Sequence, residues 1–188
     1  FKYDDSILER VTELCHGSEL IGITVMTYCF DGAIQITRRI KKELNVPVIW
    51  GGIHPTIRPE ETLNYADIAC IGEGEEAVVE LADKMDKGLD YTDVQNLWFK
   101  KNGTVIKNKI RPLIQEIDKL PLPDYDLKNH YVLDGNKIAG LNKKILNDIM
   151  IQCNLSLEQG AAGYQTMATR GCPHSCSYCS NNTLKEIY

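Results

Sequence analysis

Residues 20–26 read LIGITVM, a short apolar run rich in β-branched side chains, and residues 46–50, VPVIW, repeat the pattern one amphipathic segment later. Runs this short that do not alternate with polar residues mark strands covered on both faces, as in a parallel sheet. Between them Asp31 is expected to cap a helix with Ala33, Ile36, Ile40 and Leu44 inside. Arg38, Arg39, Lys41 and Lys42 would form its solvated face. Upstream, Asp4 or Asp5 caps a helix whose apolar face is Ile7, Leu8, Val11, Leu14 and Cys15. Downstream, Pro59 opens a short helix through Glu60, Glu61 and Leu63. Residues 67–71, DIACI, read as a third strand, and 75–85 as a helix burying Ala77, Val78, Leu81 and Met85. Alternation of this kind builds a parallel α/β sheet with helices on both faces. Ligands in such sheets sit outside the carboxyl ends of the strands, and the loops at that edge are 27–32, 51–58 and 72–75.

The pattern changes after Gly88. Residues 97–100 and 104–107 flank Asn102-Gly103, the signature of a β-hairpin. Residues 120–126, LPLPDYD, read as a linker in which Asp124 and Asp126 are turn residues; residues 127–165 give mixed signals. The plan is therefore an α/β domain over 1–90, a hairpin and Pro-rich linker over 91–130, and a further domain beginning within 131–188. A net charge of −5 argues against a nucleic-acid partner or an anionic membrane surface. No apolar run is long enough to span a bilayer, and the opening FKYDDS has no signal-peptide core. Seven cysteines, three of them crowded near the C-terminus, fit thiolate ligands in a reducing compartment better than disulfides. A cytoplasmic protein is expected.

The crowded trio lies in RGCPHSCSYCSN, residues 170–181, where Cys172, Cys176 and Cys179 are spaced C-x3-C-x2-C. A tight loop can aim three such thiolates at three irons of one cubane. Clusters usually take four thiolates, so a compact trio leaves one iron open to a small molecule. A zinc site completed by His174 or Cys153 is the competing reading. Gly171 and Pro173 suit a tight loop rising from a strand at Gln165–Thr169.

RGCPHSCSYCSN resembles, over its whole length, the signature of radical S-adenosylmethionine enzymes. The resemblance implies a 4Fe–4S cluster on Cys172, Cys176 and Cys179 whose open iron chelates S-adenosylmethionine. It also places Tyr178 near the adenine. IGITVMT, VIWGGIHPT, RPEETL and ADIACIGEGEEAVVEL resemble the cobalamin-binding domain that precedes the barrel in cobalamin-dependent members of that family. The likeness covers about residues 5–130 and 165–182.

It implies a Rossmann-like (flavodoxin-like) parallel-sheet domain with the corrin over the strand ends and the nucleotide tail beside the Gly-Gly and GEGE loops. Its candidate contacts are Thr24, Met26, Thr27, Gly51, Gly52, His54, Gly72, Glu73 and Gly74. A missing Cβ at Gly51 and Gly52 would admit a bulky ligand. No D-x-H-x-x-G follows the first strand, and His54 follows a later one, so His54 is not assigned to cobalt and reads otherwise as a polar loop histidine. The family's first two strands and first helix are expected ahead of Asp5, making the domain incomplete at its N-terminus. The first strand and cluster loop of a radical barrel are expected after the linker, with the remaining barrel beyond Tyr188.

Residues 72–77 also satisfy G-x-G-x-x-A, the dinucleotide fingerprint. Glu73, Glu75 and Glu76 would repel a pyrophosphate at that helix start and instead complement the helix dipole. Cys15 and Cys70 read as core thiols, and Cys29 as a buried small residue. The expected activity is reductive cleavage of S-adenosylmethionine for cobalamin-dependent methyl transfer or cyclisation, on a small-molecule substrate and with an electron donor such as flavodoxin or ferredoxin. A corrinoid-binding or regulatory module with a structural metal, and a methylthiotransferase, are the alternatives. The latter needs a second cysteine trio, and Cys15, Cys29 and Cys70 lie on separate elements.

Overall fold

The computed structural model describes residues 2–153 and 170–188; the strand expected at Gln165–Thr169 lies outside them. Residues 1–117 with 174–188 form one compact unit and residues 118–173 another.

In the first unit the three apolar runs form parallel strands β1 (Ile21–Thr24), β2 (Val48–Gly51) and β3 (Ile68–Cys70). Ile21 pairs with Val48 and Ile49 with Ile68. The hairpin joins this same sheet. Strands β4 (Leu97–Lys101) and β5 (Thr104–Lys107) run antiparallel, with Ile68 opposite Phe99 and Trp98 opposite Lys107. The order is β1-β2-β3-β4-β5, so the sheet is a mixed α/β Rossmann-like one, with β1 at one edge. β4 belongs there because Leu97 and Phe99 alternate inward and are buried. Asn102 and Gly103 both take positive φ (51° and 79°), the geometry a tight hairpin turn requires.

The pleat sends alternate residues to two cores. Val48 and Trp50 join Ile21, Val25 and Ala66 beneath α2 (Phe30–Glu43), which contributes Ala33, Ile34 and Ile40. Ile49, Ile68 and Cys70 face the other way, to Ala77 and Leu81 of α5 (Glu75–Asp86) and to Leu97 and Phe99. Helix α1 (Asp5–Leu14) buries Ile7, Leu8 and Thr12. Trp50 is fully buried, stacks on Tyr65, and donates its indole N–H to Thr37 Oγ1 at 2.9 Å. Truncating such a residue costs about 3–5 kcal/mol.

Several local expectations change. Helix α2 begins at Phe30, after a 3₁₀ turn at Thr27–Cys29, so Asp31 lies in its first turn, where it complements the dipole. The loop after Gly52 is a short helix, α3 (Ile53–Ile57), followed by α4 (Pro59–Thr62). Pro55 is tolerated there because the first turn has no intrahelical use for its missing N–H. Val78 is 39% exposed, since α5 buries only the Ala77–Leu81 line. Cys29 is exposed rather than buried. The basic face of α2 is solvated but paired: Arg39 with Glu43, Lys41 with Asp67, and Arg38 over the Tyr65 ring.

In the second unit β6 (Tyr131–Asp134) and β7 (Lys137–Gly140) form an antiparallel hairpin around Gly135, and α6 (Lys143–Cys153) follows. Asp124 accepts the Asp126 N–H at 2.8 Å, as a turn aspartate does. None of the described helices is long and apolar enough to cross a membrane.

Candidate functional site

The three loops at the carboxyl edge of β1–β3 meet around α3. Gly52, at φ 95°, turns the chain out of β2. A Cβ there would press on Thr24 Cγ2 at 3.1 Å and the Val25 carbonyl at 3.2 Å, so only glycine passes so close to β1. Its small size therefore serves the chain's own packing. At Gly51 a Cβ would find only an ordinary 3.7 Å contact with Cys70, so close approach does not demand glycine there.

His54 sits on α3 and is 3% exposed, not a polar loop histidine. Its N–H donates to the Val25 carbonyl at 3.1 Å, its Nδ1 lies 3.4 Å from Thr27 Oγ1, and its ring packs on Phe30. Nε2 has no hydrogen-bond partner and lies 3.7 Å from a Glu61 carboxylate oxygen. Burial pushes His54 below its ordinary pKa; Glu61 opposes this and Arg58 adds to it. The imidazole is therefore neutral at physiological pH.

Two residues along α3, Thr56 ties the remaining loop. Its hydroxyl donates to the Gly52 carbonyl at 2.8 Å and accepts the Gly72 N–H at 3.0 Å. Gly72 has φ 75°, and a Cβ there would overlap the Tyr188 hydroxyl. Tyr188 follows α7 (Asn181–Ile187), and its hydroxyl accepts the Glu73 N–H at 2.8 Å. This backbone, without a Cβ at Gly72, seats an aromatic ring whose polar tip takes the Glu73 N–H.

The Glu73 side chain is turned away from the edge. Its carboxylate accepts the Ile114 N–H at 2.7 Å, and its carbonyl accepts from Asn96 Nδ2 at 2.8 Å. Asn96, buried and at φ 69°, takes the Arg111 N–H on Oδ1 at 2.6 Å. Arg111 in turn pairs with Glu76 and Glu80. Two acids of the 72–76 loop are thus engaged by the chain itself, Glu73 by the Ile114 N–H and Glu76 by Arg111. Beneath the loop, Cys70 is a core thiol: burial, reinforced by Glu75 and opposed by Arg111, pushes its pKa up to about 11.

Of the residues singled out in the sequence, Thr24, Thr27, Gly52, His54, Gly72 and Glu73 are linked at this edge by those contacts, with Gly51 ending β2. Met26 and Thr27 are exposed beside it, and a Cβ at Gly74 would press on Cys70 Sγ at 3.3 Å. Thr56, Asn96 and Arg111 were not singled out. Thr56 had one readable signal, its position four residues after Gly52, the spacing at which a helical threonine bonds back to a carbonyl.

In the cysteine motif Cys172 and Cys179 are half-buried and Cys176 is exposed. The Cys179 N–H donates to the Cys176 carbonyl at 3.0 Å, and Lys185 donates to the His174 carbonyl at 2.9 Å. Tyr178 is 91% exposed. Among the described residues no group of three or more His, Cys, Asp or Glu is gathered to hold a metal ion. The donor set itself, three free thiols, suits iron.

Comparison with known proteins agrees with this geometry. The B12 binding domain family matches residues 3–82. An uncharacterized methyltransferase of Pyrococcus horikoshii is 32% identical over 87% of this chain and 32% of its own length. The anaerobic magnesium-protoporphyrin IX monomethyl ester cyclase of Synechocystis is 28% identical over 94% of this chain and 32% of its own. The chain thus spans about a third of these curated relatives. Among solved structures, the cobalamin-dependent S-adenosylmethionine radical enzyme OxsB with aqua-cobalamin bound superposes with a TM-score of 0.55. It covers 63% of this chain and 18% of that one at 19% identity, a likeness of fold. Residues 3–82 are thus similar to a B12 binding domain, and the chain as a whole is similar to a part of a methyltransferase and of a cyclase.

Proposed function

We propose that the full-length protein binds cobalamin across the carboxyl edge of β1–β3 and a 4Fe–4S cluster on Cys172, Cys176 and Cys179. It would use them for methyl transfer or cyclisation at an unactivated carbon of a small-molecule substrate. When bound, the two groups supply one-electron and methyl-transfer chemistry. With an electron from a donor such as flavodoxin or ferredoxin, the cluster would supply the reductive cleavage of S-adenosylmethionine.

The chain's own residues have simpler tasks. The thiolates of Cys172, Cys176 and Cys179, three from one short loop, would hold the cluster and leave it able to take S-adenosylmethionine. The half-exposed thiols become cluster ligands only on losing their protons, so cluster assembly releases protons and gathers the loop. Tyr178, solvent-facing here, would cover the adenine. At the other site Gly72 and the Glu73 N–H offer the nucleotide tail a flat backbone seat with a single donor. The observation that carries this reading is the convergence of Gly52, His54, Thr56 and Gly72 at one sheet edge, inside the B12-binding match.

Anaerobic reconstitution of the full-length protein tests it. Iron, sulfide and corrinoid are expected together, in a brown, oxygen-sensitive protein. Alanine at Cys172, Cys176 or Cys179 should strip the iron, and Cys153→Ala should spare it. Stoichiometric zinc without iron would sink the cluster, and an unchanged corrin spectrum would sink the cobalamin site.

A further inference from the structure

We propose that Thr56 is a positioning residue for cobalamin, setting the width of the crevice by holding the Gly52 and Gly72 loops at a fixed separation; the inference rests on the cobalamin reading above. Its hydroxyl is bonded to both. It donates to the Gly52 carbonyl at 2.8 Å and accepts the Gly72 N–H at 3.0 Å. Thr56 is 5% exposed, so this link is shielded from water.

Both loops need such a link, because each leaves its strand through a left-handed glycine, Gly52 at φ 95° and Gly72 at φ 75°. Glycine gives these turns their shape at the cost of conformational freedom, and a side-chain bond across them restores the definition that the backbone lacks. The arrangement also orients a donor. With the Gly72 N–H committed to Thr56, the next N–H, that of Glu73, is left to face the edge, where the Tyr188 hydroxyl takes it at 2.8 Å. Thr56 is buried and holds the Gly72 N–H, so it acts through Gly72.

The same helix reaches the third loop with His54, whose N–H holds the Val25 carbonyl at 3.1 Å. That bond is main chain to main chain and survives any side-chain change. The Thr56 N–H likewise keeps its own bond to the Gly52 carbonyl at 3.2 Å, whereas the hydroxyl's bond to Gly72 depends on the side chain, which makes that bond the replaceable part of the clamp.

Thr56→Val in the full-length protein removes the hydroxyl at nearly constant volume, and Thr56→Ser keeps it. Two readouts are taken: hydrogen–deuterium exchange at the Gly72 amide without corrinoid, and hydroxocobalamin affinity followed by the corrin absorption. Thr56→Val should speed exchange at Gly72 about tenfold and weaken hydroxocobalamin about five- to thirtyfold, the range set by one orphaned buried N–H. Thr56→Ser should restore both to within about threefold.

An unchanged Kd for Thr56→Val, with wild type binding, overturns the inference. So does a Thr56→Ser protein as weak as Thr56→Val, because the effect would then follow the methyl group. A purely structural role would lower the urea midpoint of Thr56→Val without moving the Kd of its folded fraction. Wild-type protein that leaves the corrin spectrum unchanged removes the cobalamin reading and the binding role with it, while exchange at Gly72 still reports on the clamp.

Discussion

Replacing Asn96 with alanine should be among the most damaging single changes in the first unit, although Asn96 lies on no helix or strand. Its side chain makes two part-buried hydrogen bonds, to the Glu73 carbonyl at 2.8 Å and from the Arg111 N–H at 2.6 Å. Alanine removes both and orphans two shielded main-chain groups, at roughly 1–2 kcal/mol apiece. It also leaves a residue without local side-chain bonding at φ 69°, which adds about 1 kcal/mol. The sum is about 3–5 kcal/mol.

Equilibrium urea unfolding, followed by tryptophan fluorescence of Trp50 and Trp98, measures it. Asn96→Gly isolates the backbone share, since glycine accepts the left-handed conformation while losing the same two bonds. It should fall about 1 kcal/mol short of the alanine loss. An alanine protein within about 1 kcal/mol of wild type, or a glycine protein less stable than the alanine one, would refute this account of the strap from residue 73 to residue 114.

Acid should weaken the fold through His54. Its pKa is lowered in the folded state, so the unfolded chain takes the proton first and stability falls as the pH drops below the ordinary histidine value of about 6.5. His54→Gln should flatten that part of the stability–pH curve measured by urea midpoint, and an unchanged slope would exclude His54 as its source. Thiol labelling with iodoacetamide at about pH 8 should modify Cys29 early and Cys70 last, because one is exposed and the other is buried with its pKa near 11. Mass mapping of alkylated peptides reads the order, and early loss of the Cys70 thiol in native protein would contradict its burial.

The three parallel strands were legible because their apolar runs are bounded by helix starts and glycines, and burial on both faces leaves no polar residue to blur them. The hairpin was legible from Asn102-Gly103, but its attachment to β3 was not. Pairing Ile68 with Phe99 depends on which face Leu97 and Phe99 present, a fact of packing that no local pattern states. Helix α3 was read as loop, since Gly-Gly before it and Pro55 within it are both turn signals. Only the docking of His54 and Thr56 against neighbouring loops outweighs them.

Glu73 was singled out as a ligand contact, yet its carboxylate is spent on Ile114, far along the chain. Such partners are invisible to spacing. The same holds for Asn96 and Arg111, whose importance comes entirely from what the fold brings to them.

The mixed sheet has a consequence for the order in which it assembles. Trp98 meets Lys107 through a turn whose two central residues already favour the bend, so β4 and β5 can zip locally on the microsecond scale of hairpins. Ile21, by contrast, must find Val48 across the whole of α2, and Ile68 must find Phe99 across α5. Non-local closures of this kind come with an entropic barrier that local ones lack. The antiparallel end therefore supplies the early template, and the parallel end, which carries the loops 51–58 and 72–75, is laid down on it late. Destabilising changes near the crevice should accordingly speed unfolding more than they slow folding.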